Sequence, residues 1–217
     1  MHLVLHHYWR SSSSWRVRWA LAHKGLAWDG VAVDLLASAQ RAEAYVAERS
    51  PAGLVPCLVV DGRPLTESVA IVELLEELAP TPSLYPHEPF ARARVRQLVE
   101  LVNAGTQPIQ NLSVLRHVSS LVQGVDADVQ RAWARHFIER GLAAVERDLG
   151  LVAREGLGGR FAVGDALTAA DLYLVPQLYN ARRFGVDLAS FPRLLAAEAA
   201  ALDTDAARAS HPDRFAP

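Results

Sequence analysis

The chain has 217 residues, 51% of them hydrophobic and 21% charged, with a formal net charge of −2. These values describe a globular protein long enough for a sizeable core. They argue against disorder away from the ends and against a basic footprint for nucleic acid or an anionic membrane. A single cysteine, Cys57, excludes an internal disulfide framework and a multi-cysteine metal site.

"LVLHHYW" (3–9) reads as a strand. Four serines follow, and Val17, Ala20 and Leu21 then show the i, i+3, i+4 spacing of a helix face, with Gly25 as its stop. "VAVDLL" (31–36) is a second strand, and 38–51 is helical in composition up to Pro51. "LVPCLVV" (54–60) and the run after Asp61-Gly62 form a hairpin, since Asp-Gly is a strong two-residue turn signal. Residues 66–80 are an amphipathic helix, with Thr66 predicted as its N-cap and Pro80 ending it. The order β-α-β-α-β-β-α predicts a small mixed sheet with helices packed on it.

The proline-rich stretch 81–89 reads as a linker. Beyond it the pattern is helical over 89–120, 126–153, 168–184 and 191–203. Pro108 is predicted to kink the first of these helices, and the last residues read as a tail. The expected fold class is α/β plus all-α, with domains at 1–82 and 89–217. The N-terminus lacks a basic region followed by an apolar run, and no apolar stretch reaches the ~18 residues of a membrane span. A reduced, soluble, cytoplasmic protein is expected.

Ser11 to Ser14 lie where a strand hands over to a helix. A helix N-terminus carries unpaired N–H groups and partial positive charge, which favours an anion whose remaining lone pairs meet hydroxyl donors. The alternative is that one serine caps the helix and the others are solvated. Arg16 and Arg18 oppose the macrodipole in the first turns, and Arg10 adds a third cation, so something negative is expected nearby. Val55-Pro56 opens the third strand, where an X-Pro bond is either an ordinary start or a cis bond exposing the Val55 backbone. Glu67 and Ser68 begin another helix, suited to a carboxylate at its N–H groups or an ammonium at Glu67. No metal is expected: His6 and His7 are adjacent on a strand and face opposite sides.

Taken together, "RSSSSWRVRWAL" (10–21), "LVPCL" (54–58), "ESVAI" (67–71), "GTQPIQNLSVL" (105–115), "VGDALTAADLYLVP" (163–176) and "LVPQLYNARRF" (174–184) resemble the zeta class of the glutathione transferase superfamily. Within the fifth segment, Thr168 to Asp171 form the reciprocal helix-starting box that local physics favours. The resemblance covers nearly the whole chain. It implies a thioredoxin-like N-terminal domain, a C-terminal helical bundle and a homodimer.

It also implies roles. Ser11 matches the serine that stabilises the glutathione thiolate, and Ser12 matches a neighbouring contact. Gln40, Val55, Pro56, Glu67 and Ser68 match the segments that hold the tripeptide, and Gln107, Asn111 and Ser113 match contacts from the helical domain. Arg10 and Arg183 fall near the carboxylates of a dicarboxylate-type substrate, with Arg182 beside Arg183 left open. Ser13 stands where the class has its signature cysteine, among the glutathione-binding positions. The implied reaction is glutathione-dependent cis–trans isomerisation of maleylacetoacetate to fumarylacetoacetate. Maleylpyruvate isomerisation, general conjugation or dehalogenation, and glutathione binding without turnover are the alternatives. Maleylpyruvate isomerases tend to carry paired arginines where this chain has Leu112 and Ser113.

Overall fold

A computed structural model of the chain describes residues 1–121 and 127–217. It divides into two compact units, one formed by 1–84 with 203–217 and the other by 85–202.

In the first unit, β1 (Leu3–His7), β2 (Asp29–Ala32), β3 (Cys57–Val60) and β4 (Arg63–Thr66) form one sheet in the order β2-β1-β3-β4. β1 runs parallel to β2 and antiparallel to β3, and β3 and β4 are antiparallel. The period-two pattern of β1 is realised: Leu3, Leu5 and His7 are buried while Val4 and His6 are half-buried. Helices α1 (Ser12–His23) and α3 (Ser68–Leu78) pack together, and α2 (Glu43–Glu48) is short. Trp15, Trp19, Leu21, Leu58, Ile71 and Leu75 fill the core. Asp61 and Gly62 both have positive φ (47° and 82°), the backbone a tight hairpin requires.

Several boundaries differ from the sequence pattern. The second strand ends at Ala32 because Asp34 turns the chain, its carboxylate accepting from the Leu36 N–H at 2.8 Å. The helix expected over 38–51 shrinks to α2, since Ala42 is extended (φ −60°, ψ 140°) and leaves only a 3-10 turn at Ala39–Arg41 before it. Thr66 does not cap α3. It ends β4 opposite Cys57, and the N-cap position falls to Glu67 at φ 68°, ψ 114°.

The C-terminal residues are not a loose tail and lie with the sheet. Helix α9 (Asp205–Ser210) is capped by Thr204 and packs against α1, with the Trp15 indole donating to Ser210 Oγ at 3.2 Å. The chain's one lysine, Lys24, is buried against Glu76 at 2.5 Å and the Pro82 carbonyl at 2.7 Å.

The second unit contains α4 (Pro89–Asn103), α5 (Leu112–Leu121), α6 (Ala127–Arg154), α7 (Ala169–Arg183) and α8 (Pro192–Leu202). Helix α7 is buried almost all round, as befits a central helix, and packs on α4 and α8. Residue 126, where the sequence starts the second helix of the helical domain (126–153), lies outside the described residues. The single helix expected over 89–120 is broken: α4 stops at Asn103, and Pro108 opens a separate 3-10 turn (Pro108–Gln110) rather than kinking a continuous helix. Gly141 permits this corner to pack, since a Cβ there would stand 2.1 Å from Thr106 Oγ1. Among the described residues no helix is long and apolar enough to cross a membrane.

Candidate active site

The serine run divides into two uses. Ser11 is the N-cap of α1, extended at φ −68°, ψ 122°, and its hydroxyl oxygen accepts from the Ser14 N–H at 3.2 Å. Ser14 is fully buried and its Oγ accepts from the Tyr8 N–H. Those two hydroxyls secure the fold. Among the described residues the hydroxyls of Ser12 and Ser13 form no hydrogen bond, and Ser11, used as an acceptor, keeps its O–H proton to donate. The first turn of α1 holds no acidic residue, so its own side chains leave the positive end of the dipole uncompensated. Capping by Ser11 therefore leaves donor capacity at this turn.

Sheet register gathers the other segments at this end. His6 pairs with Cys57, and Cys57 with Thr66, so the residues after β1, those before β3 and those after β4 emerge together. They are the serines, Val55-Pro56, and Glu67-Ser68. The Val55-Pro56 bond is cis. Among the described residues the Val55 backbone forms no hydrogen bond. Ser68 is buried, and its hydroxyl accepts from Arg16 Nη1 at 3.1 Å, tying the start of α3 to α1. Glu67 holds a left-handed backbone without being glycine, a conformation that concentrates at functional sites. Gln40 follows β2, is 7% exposed, and its Oε1 is buried without a hydrogen-bond partner among the described residues. Gly53, at φ 62°, approaches the Gln40 carbonyl and brings that segment beside Val55. An orphaned amide oxygen, two free hydroxyls and an open backbone edge suit a peptide-like thiol carrying amide and ammonium donors.

The arginines differ from expectation. Arg16 and Arg18 turn inward and are buried, Arg16 holding Ser68 and Arg18 holding backbone carbonyls. Arg10 stacks on Trp9, with its guanidinium 5.4 Å from the ring centre. Cys57 is fully buried, and burial pushes its thiol up, which removes it as a nucleophile. His6 packs on Tyr45 while His7 lies buried, its pKa brought down to about 4 by burial and then by the Arg18 and His6 charges.

Gln107, Asn111 and Ser113 belong to the second unit, Gln107 and Asn111 flanking the 3-10 turn and Ser113 in the first turn of α5. Gln110 and Gln177 brace that turn, meeting at 2.6 Å in the unit's interior. Sequence patterning does not single them out, because two glutamines on separate segments carry no spacing signal. Arg182 is committed to Glu198 through two bonds of 2.5 Å. Arg183, at the end of α7, is exposed and reaches Asn180 Oδ1 at 3.1 Å. That separates two arginines the sequence leaves equivalent.

Comparisons with known proteins show which family the chain resembles. The family described as "Glutathione S-transferase, N-terminal domain" matches residues 5–83. Maleylacetoacetate isomerase of Rhizobium meliloti (strain 1021) is 47% identical over 214 residues, covering 99% of this chain and 98% of that protein. Maleylacetoacetate isomerase of Anaeromyxobacter dehalogenans 2CP-1, crystallised with GSH in its active site, is 51% identical with a TM-score of 0.85, covering 98% of this chain and 96% of that one. A second crystal structure of that enzyme holds dicarboxyethyl glutathione and citrate in the active site. The holo structure of a bacterial zeta-class maleyl pyruvate isomerase is 39% identical with a TM-score of 0.90, covering 96% of each chain.

Proposed function

From the membership of this chain in the glutathione S-transferase family, to whose zeta-class maleylacetoacetate isomerases it belongs, we propose that it catalyses the glutathione-dependent cis–trans isomerisation of maleylacetoacetate to fumarylacetoacetate. The observation that carries this reading is the start of α1, where Ser11 caps through its oxygen and keeps a proton to donate. Bound glutathione supplies the sulfur nucleophile that adds reversibly to the activated double bond.

The chain's own residues create the conditions for that chemistry. The Ser11 O–H donates to the sulfur and, with the N-terminal N–H groups of α1, favours its ionised form. Ser12 and Ser13 offer further donors at the same turn. Gln40 Oε1 and the Val55 backbone accept from and donate to the peptide, Pro56 shapes that edge, Ser68 contributes a hydroxyl, and Glu67 receives the ammonium. Gln107, Asn111 and Ser113 contribute polar contacts from the helical unit. Arg10 and Arg183 bind substrate carboxylates and stabilise negative charge that develops on the carbonyl oxygen. The protein acts as a cytoplasmic homodimer in this reading.

The test is an absorbance assay of maleylacetone isomerisation by the purified chain, with and without glutathione. Turnover that requires glutathione is expected. Glutathione binding without turnover would establish a binding protein instead. Maleylpyruvate is the second reading, favoured by the 39% identical neighbour. A kcat/KM for maleylpyruvate above that for maleylacetone would replace the first reading with it. Analytical ultracentrifugation is expected to find twice the chain mass of 23.7 kDa.

A further inference from the structure

Arg18 lies seven residues beyond Ser11 on α1 and is 1% exposed. Among the described residues its guanidinium meets no carboxylate. Nη2 donates to the Trp9 carbonyl at 2.9 Å, Nη1 to the Tyr8 carbonyl at 3.4 Å and to His7 Nδ1 at 3.3 Å, and Nε to the Ser210 carbonyl at 3.2 Å. The Phe215 ring covers it, with Cζ 4.7 Å from the ring centre. Burial lowers the Arg18 pKa to about 9, which leaves it charged at neutral pH, while His7 is neutral and accepts through Nδ1.

A buried cation held by carbonyls, one imidazole and one ring is an expensive arrangement compared with a carboxylate pair or an apolar side chain. What it secures is the segment between β1 and Ser11. The Tyr8 carbonyl that accepts from Arg18 also accepts from the Ser11 N–H at 3.1 Å. One oxygen atom thus joins the guanidinium to the backbone of the proposed sulfur donor. From the other side, residues 210–215 hold the guanidinium. Trp15 donates to Ser210 Oγ, His211 sets its ring edge against Trp15 at 5.1 Å, and Phe215 stacks on Trp28 at 5.9 Å and meets the His7 ring at 5.5 Å. All of these residues belong to the first unit.

We propose that Arg18 and the C-terminal strap Ser210–Phe215 are positioning residues for Ser11: the strap covers the guanidinium, the guanidinium holds the Tyr8 and Trp9 carbonyls, and the Tyr8 carbonyl sets the direction of the Ser11 hydroxyl. This rests on the reading of Ser11 as the sulfur's hydrogen-bond donor. It makes the last residues of the chain, remote in sequence from the serines, determinants of sulfur ionisation.

Phe215 is the residue to change, because it is half-exposed and its loss leaves the core intact, whereas Arg18 variants risk the fold. The readouts are titration of the bound glutathione thiol by thiolate absorbance, kcat, and glutathione affinity, on variants whose circular dichroism matches the parent. Phe215→Ala is expected to raise the bound thiol's pKa by about 0.5 and to lower kcat about threefold, with glutathione affinity within about twofold. Phe215→Trp, which restores a ring face to the guanidinium, is expected to recover both; Phe215→Leu, apolar but without that face, is not. A Phe215→Ala protein that titrates and turns over like the parent overturns the proposal, as does rescue by Leu equal to that by Trp. Ser11→Ala, titrated alongside, separates the two readings. If it shifts the thiol and Phe215→Ala does not, only the strap is rejected. If Ser11→Ala leaves the thiol unmoved, the donor assignment falls and the strap proposal with it.

Discussion

Helices α1 and α7 both begin on an extended hydroxyl residue, Ser11 at φ −68°, ψ 122° and Thr168 at φ −122°, ψ 169°. At α7 the terminus is closed. Asp171 accepts from the Thr168 N–H, the Thr168 hydroxyl and the Ala162 N–H, each at 2.9 Å, and the group is buried. At α1 no acid stands in the first turn, and three adjacent hydroxyls keep donor capacity. The same local chemistry thus serves folding where a carboxylate of the chain completes it, and in the proposed reading it receives an anion at α1, where the chain supplies none.

Removing each key residue should move opposite quantities. Asp171→Ala leaves two backbone N–H groups without their acceptor in the interior. It is expected to cost about 3 kcal/mol of stability by urea denaturation, while activity per folded molecule stays within about twofold. Ser11→Ala should do the reverse, lowering kcat about 100-fold with a stability loss of about 1 kcal/mol. If both variants lose stability and activity in parallel, the distinction between the two helix starts fails.

Acid should sharpen the contrast. His7 titrates at about 4 in the fold against an ordinary 6.5, first through burial and then through Arg18 and His6. The unfolded chain therefore takes up the proton first, and stability falls as pH drops from 6.5 towards 4. Asp171, raised by burial from 3.8 to about 6, has the opposite sign: between these values the folded state binds the proton more readily, so acidification adds stability. Melting temperatures measured between pH 7 and 4.5 should fall less steeply in His7→Asn and more steeply in Asp171→Asn than in the parent. The smallest effect is expected at Ser13. Its hydroxyl is half-exposed and forms no hydrogen bond among the described residues, and restoring the class cysteine, Ser13→Cys, should leave kcat within about twofold because the nucleophilic sulfur belongs to glutathione.

Local features of both units were readable along the chain. The Asp61-Gly62 hairpin and the Gly25 stop in the first unit, and the box at Thr168–Asp171 in the second, appear where the pattern puts them, because each depends on residues within a few positions of one another. The misreadings share the opposite cause. Thr66 has the chemistry of a cap, yet its backbone is taken by β3, and the role passes to a glutamate in a backbone region that sequence does not advertise. Pro108 marks a real break, but whether it bends a helix or separates two depends on how closely Thr106 meets Gly141. The serine run was legible as a hydroxyl cluster at a helix start. The division of labour within it, with Ser14 turned to the Tyr8 N–H and Ser12 and Ser13 left open, was not.

The order of elements from β1 to α3, the hydroxyl cluster at a helix start and the absence of a first-turn acid were settled by sequence alone, since propensity, periodicity and capping act over a few residues. Where Arg16 and Arg18 point, which of Arg182 and Arg183 is committed, and the docking of residues 203–217 on α1 were decided only by the tertiary structure. A charged side chain's partner is set by what packing brings within about 3 Å of it, and residues far apart in the chain carry no local mark of that meeting.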